Sequence, residues 1–267
     1  MPATETKLQP SEERRFAAYS NHYERIGNER CDWNYAESHA SQFACRQPWL
    51  PADRGAHILD FGCGWGKQLL SLWCAGYRNL EGVEVAQDQA AIALQGVAGR
   101  FPVHCGDGRV FLQSRESAYD LVVLNDVIEH VPREETGHLL DCISRSLRPG
   151  GRIVVRTPNM SSLLAGYSRY MDVTHVTGFT EFSLLQVLEE AGFRDARFVR
   201  EYFGWPPRTR RPWIIVRRLD LRGLFNEWLH RMLYAARGQH PAPTIFSMNL
   251  IVYADKAVGV LERPVGL

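Results

Sequence analysis

The sequence predicts an α/β domain with a mostly parallel sheet. Three observations carry that prediction. Short runs rich in Val, Ile and Leu alternate with segments of helical periodicity from residue 58 onward. The first run, 58–61, leads into glycines at alternate positions, Gly62, Gly64 and Gly66, and a helical pattern follows. Polar residues that can bind a ligand close these runs: Asp60, Glu84, Asp107 and Asn125. Such alternation buries a parallel sheet between two helical layers. Ligands in these sheets bind at strand carboxyl ends, near the switch in strand order.

Taken in order, residues 1–54 read as an N-terminal helical lid. Residues 1–10 are polar and expected to be disordered. Ser11 is an N-cap candidate with Glu12 and Glu13 in the first turn. The stretch up to Gln47 is helical in pattern and rich in aromatics, among them Phe16, Tyr19, Trp33 and Phe43. It suits either a cover over a sheet edge or a lid over cofactor and acceptor. Residues 55–267 form the main domain. Strand 58–61 and a helix to 75 come first, then strand 80–85 and helix 87–96. Strand 102–105 ends in Gly106-Asp107-Gly108. Strand 121–124 ends in Asn125-Asp126, and a helix spans 133–147. Arg148-Pro149-Gly150-Gly151 reads as a turn before strand 152–156. Thr180 caps a helix over 181–191, which Gly192 stops. The last two strands are expected at 196–203 and 245–254, with a basic amphipathic insertion at about 204–243 between them.

Composition excludes several classes. The net charge of +1 gives the whole chain no electrostatic footprint for nucleic acid. The six cysteines form no CxxC pair, so zinc-site spacing is absent; they read as reduced core thiols of a cytoplasmic protein. No run of 18 apolar residues occurs, so no membrane-spanning helix is expected. The N-terminus lacks the apolar core of a signal peptide.

The glycine turn lacks the Lys-Ser/Thr of a phosphate-binding P-loop. Glu84 lies about 20 residues beyond the glycines, where ribose is held in nucleotide-binding βαβ units. The stretch Leu59-Asp60-Phe61-Gly62-Cys63-Gly64-Trp65-Gly66, with 119–132 and Ala191-Gly192-Phe193, resembles the class I S-adenosylmethionine-dependent methyltransferases. The resemblance covers about 55–200. It implies a Rossmann-like, seven-stranded, mostly parallel sheet with helices on both faces and an antiparallel pair at one edge. It also implies a cofactor set: Asp60 under the glycine turn, Gly62 and Gly64 in close backbone approach, and Glu84 on the ribose hydroxyls. Asp107 with Gly108 would lie at the adenine, and Asn125 at the mouth of the site. Trp65 replaces the small or polar residue common there and is expected to narrow the pocket.

Asp126, Glu129 and His130 are spaced i, i+3, i+4, which puts them on one side of a helical turn. The branch that this part resembles includes ubiquinone-pathway O-methyltransferases, small-RNA 2′-O-methyltransferases and bacterial glycan methyltransferases. Some members hold a divalent metal with such a set, and the RNA-modifying ones add a later histidine that His175 could match. Asp126, Glu129, His130 and His175 are therefore the metal candidates, for magnesium or manganese. Two rivals stay open: Glu129-His130 ties the turn, or His130 or His175 serves as a metal-free catalytic base.

The resemblance implies S-adenosylmethionine-dependent O-methylation, with a sugar hydroxyl of a glycan or lipid-linked intermediate as the acceptor. The alternatives are a quinone-pathway phenol or other small molecule, RNA 2′-O-methylation, and a non-catalytic cofactor-binding subunit. Residues 206–237 carry eight arginines against Asp220 and Glu227. Leu221, Leu224, Phe225, Trp228, Leu229 and Met232 recur there at helical spacing. That pattern suits peripheral contact with the inner face of a membrane, or a helix packed on its own domain or a partner.

Overall fold

The structure is a computed structural model and describes residues 19–25, 36, 47–97, 99–199, 221–238 and 240–257. Most of the aromatic lid stretch and the arginines of 206–218 lie outside the described residues.

The strands are β1 His57–Phe61, β2 Asn79–Glu84, β3 Val103–Cys105, β4 Tyr119–Asn125, β5 Leu147–Pro158, β6 Phe193–Phe198 and β7 Asn249–Lys256. They form one seven-stranded sheet in the order β3-β2-β1-β4-β5-β7-β6. β1 to β5 are parallel, and β7 runs antiparallel between β5 and β6. The described helices are α1 Tyr19–Arg25, α2 Lys67–Cys74, α3 Gln87–Val97, α4 Gly108–Leu112, α5 Arg133–Ser146, α6 Ala165–Tyr170, α7 Glu181–Glu190 and α8 Leu221–Arg237.

The apolar strands follow from burial on both faces. Successive side chains point to opposite sides of a sheet, so each central strand feeds two cores. Ile58, Leu121, Val123 and Val154 enter one core with Leu69, Leu70 and Leu72 of α2. Leu59, Val122, Leu124, Ile153 and Val155 enter the other with Leu139, Ile143 and Leu184 of α5 and α7. Strands buried on both faces lose polar alternation. Thr180 caps α7 as expected, through a capping box with Ser183. Cys63 and Cys142 are buried thiols as expected, whereas Cys105 is exposed.

Several boundaries differ from the sequence reading. Arg148-Pro149-Gly150-Gly151 is not a turn between elements but a bulge inside β5. Leu147 pairs with Tyr119 and Arg152 with Leu121, so β5 spends five residues where β4 spends two. Gly150 takes the left-handed conformation (φ 74°) that the bulge requires. β7 starts at Asn249, not 245. The backbone N–H groups of Thr244 and Ile245 are taken by the Glu181 carboxylate, and the carbonyls of Ile245 and Ser247 by the Asn159 side chain. β6 spans Phe193–Phe198, earlier than the 196–203 expected. α4 and α6 had no clear signal; each is six residues or fewer.

Candidate active site

Strand order switches between β1 and β4, so the turns after them diverge and leave a crevice at the carboxyl edge. A cavity of about 340 Å³ opens there. Gly62, Gly64, Glu84 and Gln89 line one side. Asp126, Glu129, His130, Arg156 and His175 line the other.

The first side is built by the glycine turn. Gly62, Gly64 and Gly66 have φ of 75°, 52° and 78°, which residues with a Cβ rarely adopt. A Cβ on Gly62 would lie 2.5 Å from Val127 Cγ2, so the turn packs directly on the loop after β4. Glu84 fastens the turn. Its Oε2 accepts from Gly64 N and its Oε1 from Ala86 N, each at 2.8 Å. Burial raises the Glu84 pKa, and the backbone N–H groups pull it back in part. Asp60 is buried under the turn. Burial, then the nearby Glu84 charge, pushes its pKa up to about 8. Its Oδ2 has no hydrogen-bond partner. Gln89, at the start of α3, is 2% exposed, and its Nε2 lacks a partner within the cavity wall. Buried polar atoms left without partners are uncommon. A polar ligand in the crevice would satisfy Gln89, which lines it.

The second side is folded from segments distant in sequence. Asp126 follows β4 with φ 54°, and its carboxylate pairs with Arg156 of β5. A 3-10 turn, Ile128–His130, then directs Glu129 and His130 inward. Glu129 Oε2 accepts from Thr157 Oγ1 at 3.0 Å, while Oε1 has no hydrogen-bond partner. Burial, then the Asp126 charge, raises the Glu129 pKa well above the carboxylate range. The Glu129 carbonyl accepts from Val176 N and Thr177 N, at 2.9 and 3.0 Å. That clamps the 172–177 loop to the turn and sets the His175 ring 4.8 Å from the His130 ring.

Hydrogen bonding fixes both imidazole tautomers. Thr174 Oγ1 donates to Asp172 Oδ1 at 2.6 Å, so it can only accept from His130 Nδ1, at 2.8 Å. His175 Nδ1 donates to the Ser168 carbonyl at 2.8 Å. Both rings therefore carry their lone pair on Nε2. Burial, then His175, lowers the His130 pKa to about 4, with Asp172 opposing. One ligand atom each from Glu129, His130 and His175 lies within 4.8 Å of the others. Two imidazole nitrogens and one carboxylate oxygen suit a divalent transition metal. Asp126 falls outside this set, because its partner is Arg156.

Of the sequence candidates, Gly62, Gly64, Glu84, Asn125, Asp126, Glu129, His130 and His175 line the cavity. Asp60 lies buried beneath it. Asp107 and Gly108 are not among the lining residues. Asp107 caps α4, accepting from Arg109 N, and its carboxylate also pairs with the Arg109 guanidinium. Gly108 packs so closely that a Cβ would lie 2.3 Å from the Phe61 ring. Trp65 is buried and not among the lining residues, so the expected narrowing is not seen. Gln89, Arg156, Asp172 and Thr174 were not foreseen as site residues. His22 of α1 also reaches this side, its Nε2 3.2 Å from Asp172 Oδ2, while α1 packs against α3.

Comparison with known proteins agrees with this architecture. Residues 36–197, more than half of the chain, match a family described as "Methyltransferase domain". The chain belongs to that family and has the fold of class I S-adenosylmethionine-dependent methyltransferases. It is 32% identical over 105 residues to a protein of Hydrogenovibrio crunogenus named ubiquinone biosynthesis O-methyltransferase, covering 38% of this chain and 42% of that one. A probable S-adenosylmethionine-dependent methyltransferase of Mycolicibacterium smegmatis is 31% identical over 143 residues, 52% of each chain. The chain thus spans about half the length of these relatives. Among solved structures, a SAM-dependent methyltransferase from Archaeoglobus fulgidus superposes with a TM-score of 0.62 at 21% identity, over 90% of this chain and 100% of that one. Phosphoethanolamine N-methyltransferase 2 of Haemonchus contortus, in complex with S-adenosyl-L-methionine, gives 0.56 at 17%, over 89% and 56%. At such identities the likeness speaks for the fold.

Proposed function

We propose that this chain transfers the methyl group of S-adenosylmethionine to a hydroxyl oxygen, with a sugar hydroxyl of a glycan or lipid-linked intermediate as the acceptor. The observation that carries the reading is the convergence of Glu129, His130 and His175 across one cavity from the glycine turn and Glu84. Relatives named as O-methyltransferases, from Hydrogenovibrio crunogenus and Aspergillus sclerotiorum, support oxygen as the acceptor atom.

The cofactor supplies an electrophilic methyl group. The chain's own tasks are to place the acceptor in line with it and to take the acceptor's proton. Glu84 would hold the ribose hydroxyls: the backbone N–H groups do not exhaust the roughly four acceptor positions of a carboxylate. Gly62 and Gly64 would admit the cofactor's close approach, and α1 would cover it, reaching from α3 to Asp172. A phenol, with a pKa of about 10, needs less help losing its proton than an alcohol does. The buried His130, its pKa lowered to about 4, is a weak base on its own; a sugar hydroxyl therefore calls for the ligand set that Glu129, His130 and His175 offer beside the cavity. Glu129, His130 and His175 fit a divalent ion, manganese better than magnesium, which would lower the acceptor pKa and fix its position.

A second reading has an observation of its own. Asp172, Thr174 and His130 form a hydrogen-bonded chain that keeps the His130 proton on Nδ1 and makes Nε2 the basic atom, with the Asp172 charge opposing the burial that weakens this base. The two readings part on one experiment. Labelled cofactor is incubated with glycan, lipid-linked sugar and phenolic acceptors, before and after exhaustive chelation. Loss of activity that manganese or magnesium restores, and cannot restore in Glu129→Ala, supports the metal. Undiminished activity after chelation rejects it and leaves His130 as the base. Methyl transfer to nitrogen or to phenols alone overturns the sugar assignment.

A further inference from the structure

α8 is attached to the domain by its polar side. His230, 0% exposed, accepts from Leu163 N at 2.8 Å through Nε2 and donates from Nδ1 to the Asn226 carbonyl at 2.7 Å. One turn earlier, Asn226 Nδ2 donates to the Phe246 carbonyl. One turn later, Tyr234 Oη donates to the Ser161 carbonyl. Residues spaced by four share a helix face, so this face is the docked one. At roughly 100° per residue, Leu224, Phe225, Trp228 and Met232 fall on the opposite face. All are half exposed or more, Trp228 at 53% and Phe225 at 61%. A surface helix ordinarily buries its apolar stripe against the core; this one turns it outward.

Further large apolar side chains are exposed near the point where α8 is attached. The His230–Leu163 bond ties the helix to the segment that enters α6. There Leu163, Leu164, Tyr167 and Tyr170 are exposed, Tyr170 at 82%. Ser168 of α6 and Met171 just after it line the cavity, so this surface borders the mouth of the site. Extended apolar exposure of this kind marks an interaction surface.

We propose that this outward face of α8, together with the exposed face of α6, seats the protein on an anionic membrane. Composition selects that occupant. Trp and Tyr concentrate where a membrane meets water. The sequence entering α8 carries Arg208, Arg210, Arg211, Arg217 and Arg218, with Asp220 as the acid nearby. Basic residues beside an apolar helix face are drawn to anionic headgroups. Among the described residues no helix is long and apolar enough to cross a membrane, so the contact is peripheral. The attachment does not depend on the acceptor's identity; an acceptor with a lipid tail would meet the cavity at the headgroup level.

The test is flotation of the full chain with vesicles of phosphatidylcholine mixed with phosphatidylglycerol, against vesicles of phosphatidylcholine alone. Recovery with the anionic vesicles should be about tenfold higher or more, and should fall as salt rises. Phe225→Ser with Trp228→Ser should abolish recovery while the melting temperature and cofactor binding stay unchanged, because both side chains are exposed. Arg210→Gln with Arg211→Gln should weaken only the anionic arm. Equal recovery with both vesicles, or none with either, overturns the proposal. So does a dimer in light scattering that the Phe225/Trp228 double variant dissociates.

Discussion

Glu84→Gln keeps the side-chain shape and removes the charge, and two separate losses follow. The carboxylate accepts from Gly64 N through one oxygen and from Ala86 N through the other. An amide has one acceptor oxygen, so its NH2 group must face one of those N–H groups. A buried donor left unsatisfied costs about 1–3 kcal/mol, and that loss appears as a lower melting temperature without cofactor. The ribose hydroxyls also lose a charged acceptor. Hydrogen bonds to charged groups contribute about 1.5–3 kcal/mol, so S-adenosylmethionine affinity should fall about tenfold to a hundredfold. Titration calorimetry beside thermal denaturation measures both on one sample. A lower melting temperature with unchanged affinity would refute the cofactor role and leave Glu84 as a brace for the glycine turn.

Three further outcomes are expected. Gln89→Leu removes a buried amide whose Nε2 lacks a partner; the cofactor-free protein should melt no lower, while affinity drops several-fold by calorimetry, and unchanged affinity would rule out contact. Asp60, with its pKa near 8, is largely protonated at neutral pH, so stability should decline as pH rises from about 4 to 8, the window where the unfolded carboxyl has already ionised. A cationic cofactor beside it should release that proton, giving a binding heat near pH 7 that varies with the buffer's ionisation enthalpy; a buffer-independent heat refutes this. Thr174→Val cuts the bridge between Asp172 and His130, and should lower kcat by about 10- to 100-fold, the range seen when groups orienting a site histidine are lost, with cofactor affinity unchanged; unaltered kcat would make Thr174 a loop fastener.

The glycine-turn side of the cavity was legible because its signals are local. The glycine turn, Asp60 and Glu84 lie within one β-turn-α-β stretch, and the chemistry fixes their spacing. At Asp107 the sequence did not show that its turn also starts α4, or that its carboxylate pairs with Arg109 two residues on. The opposite wall of the cavity is assembled across distance. Arg156 meets Asp126 from 30 residues away, and Thr174 meets His130 from 44. No periodicity encodes such pairs. The spacing of Asp126, Glu129 and His130 suggested one shared face, but the left-handed residue at Asp126 turns it toward Arg156. For α8, periodicity gave the helix but not its orientation. That was decided by His230, whose hydrogen bonds anchor the polar face.

β7 lies between β5 and β6, and among the described strands β6 touches the sheet only through β7. During synthesis, β1 to β5 can therefore pair before β6 has any neighbour. Until residues 249–256 emerge, β5 is an open edge and β6 waits as an unattached strand. Unpaired edges of this kind invite intermolecular pairing. The connection through α8 thus delays closure of the sheet. A ribosome-bound chain stopped before Asn249 would hold the cofactor crevice between β1 and β4 while still exposing β5 to a chaperone or to another nascent chain.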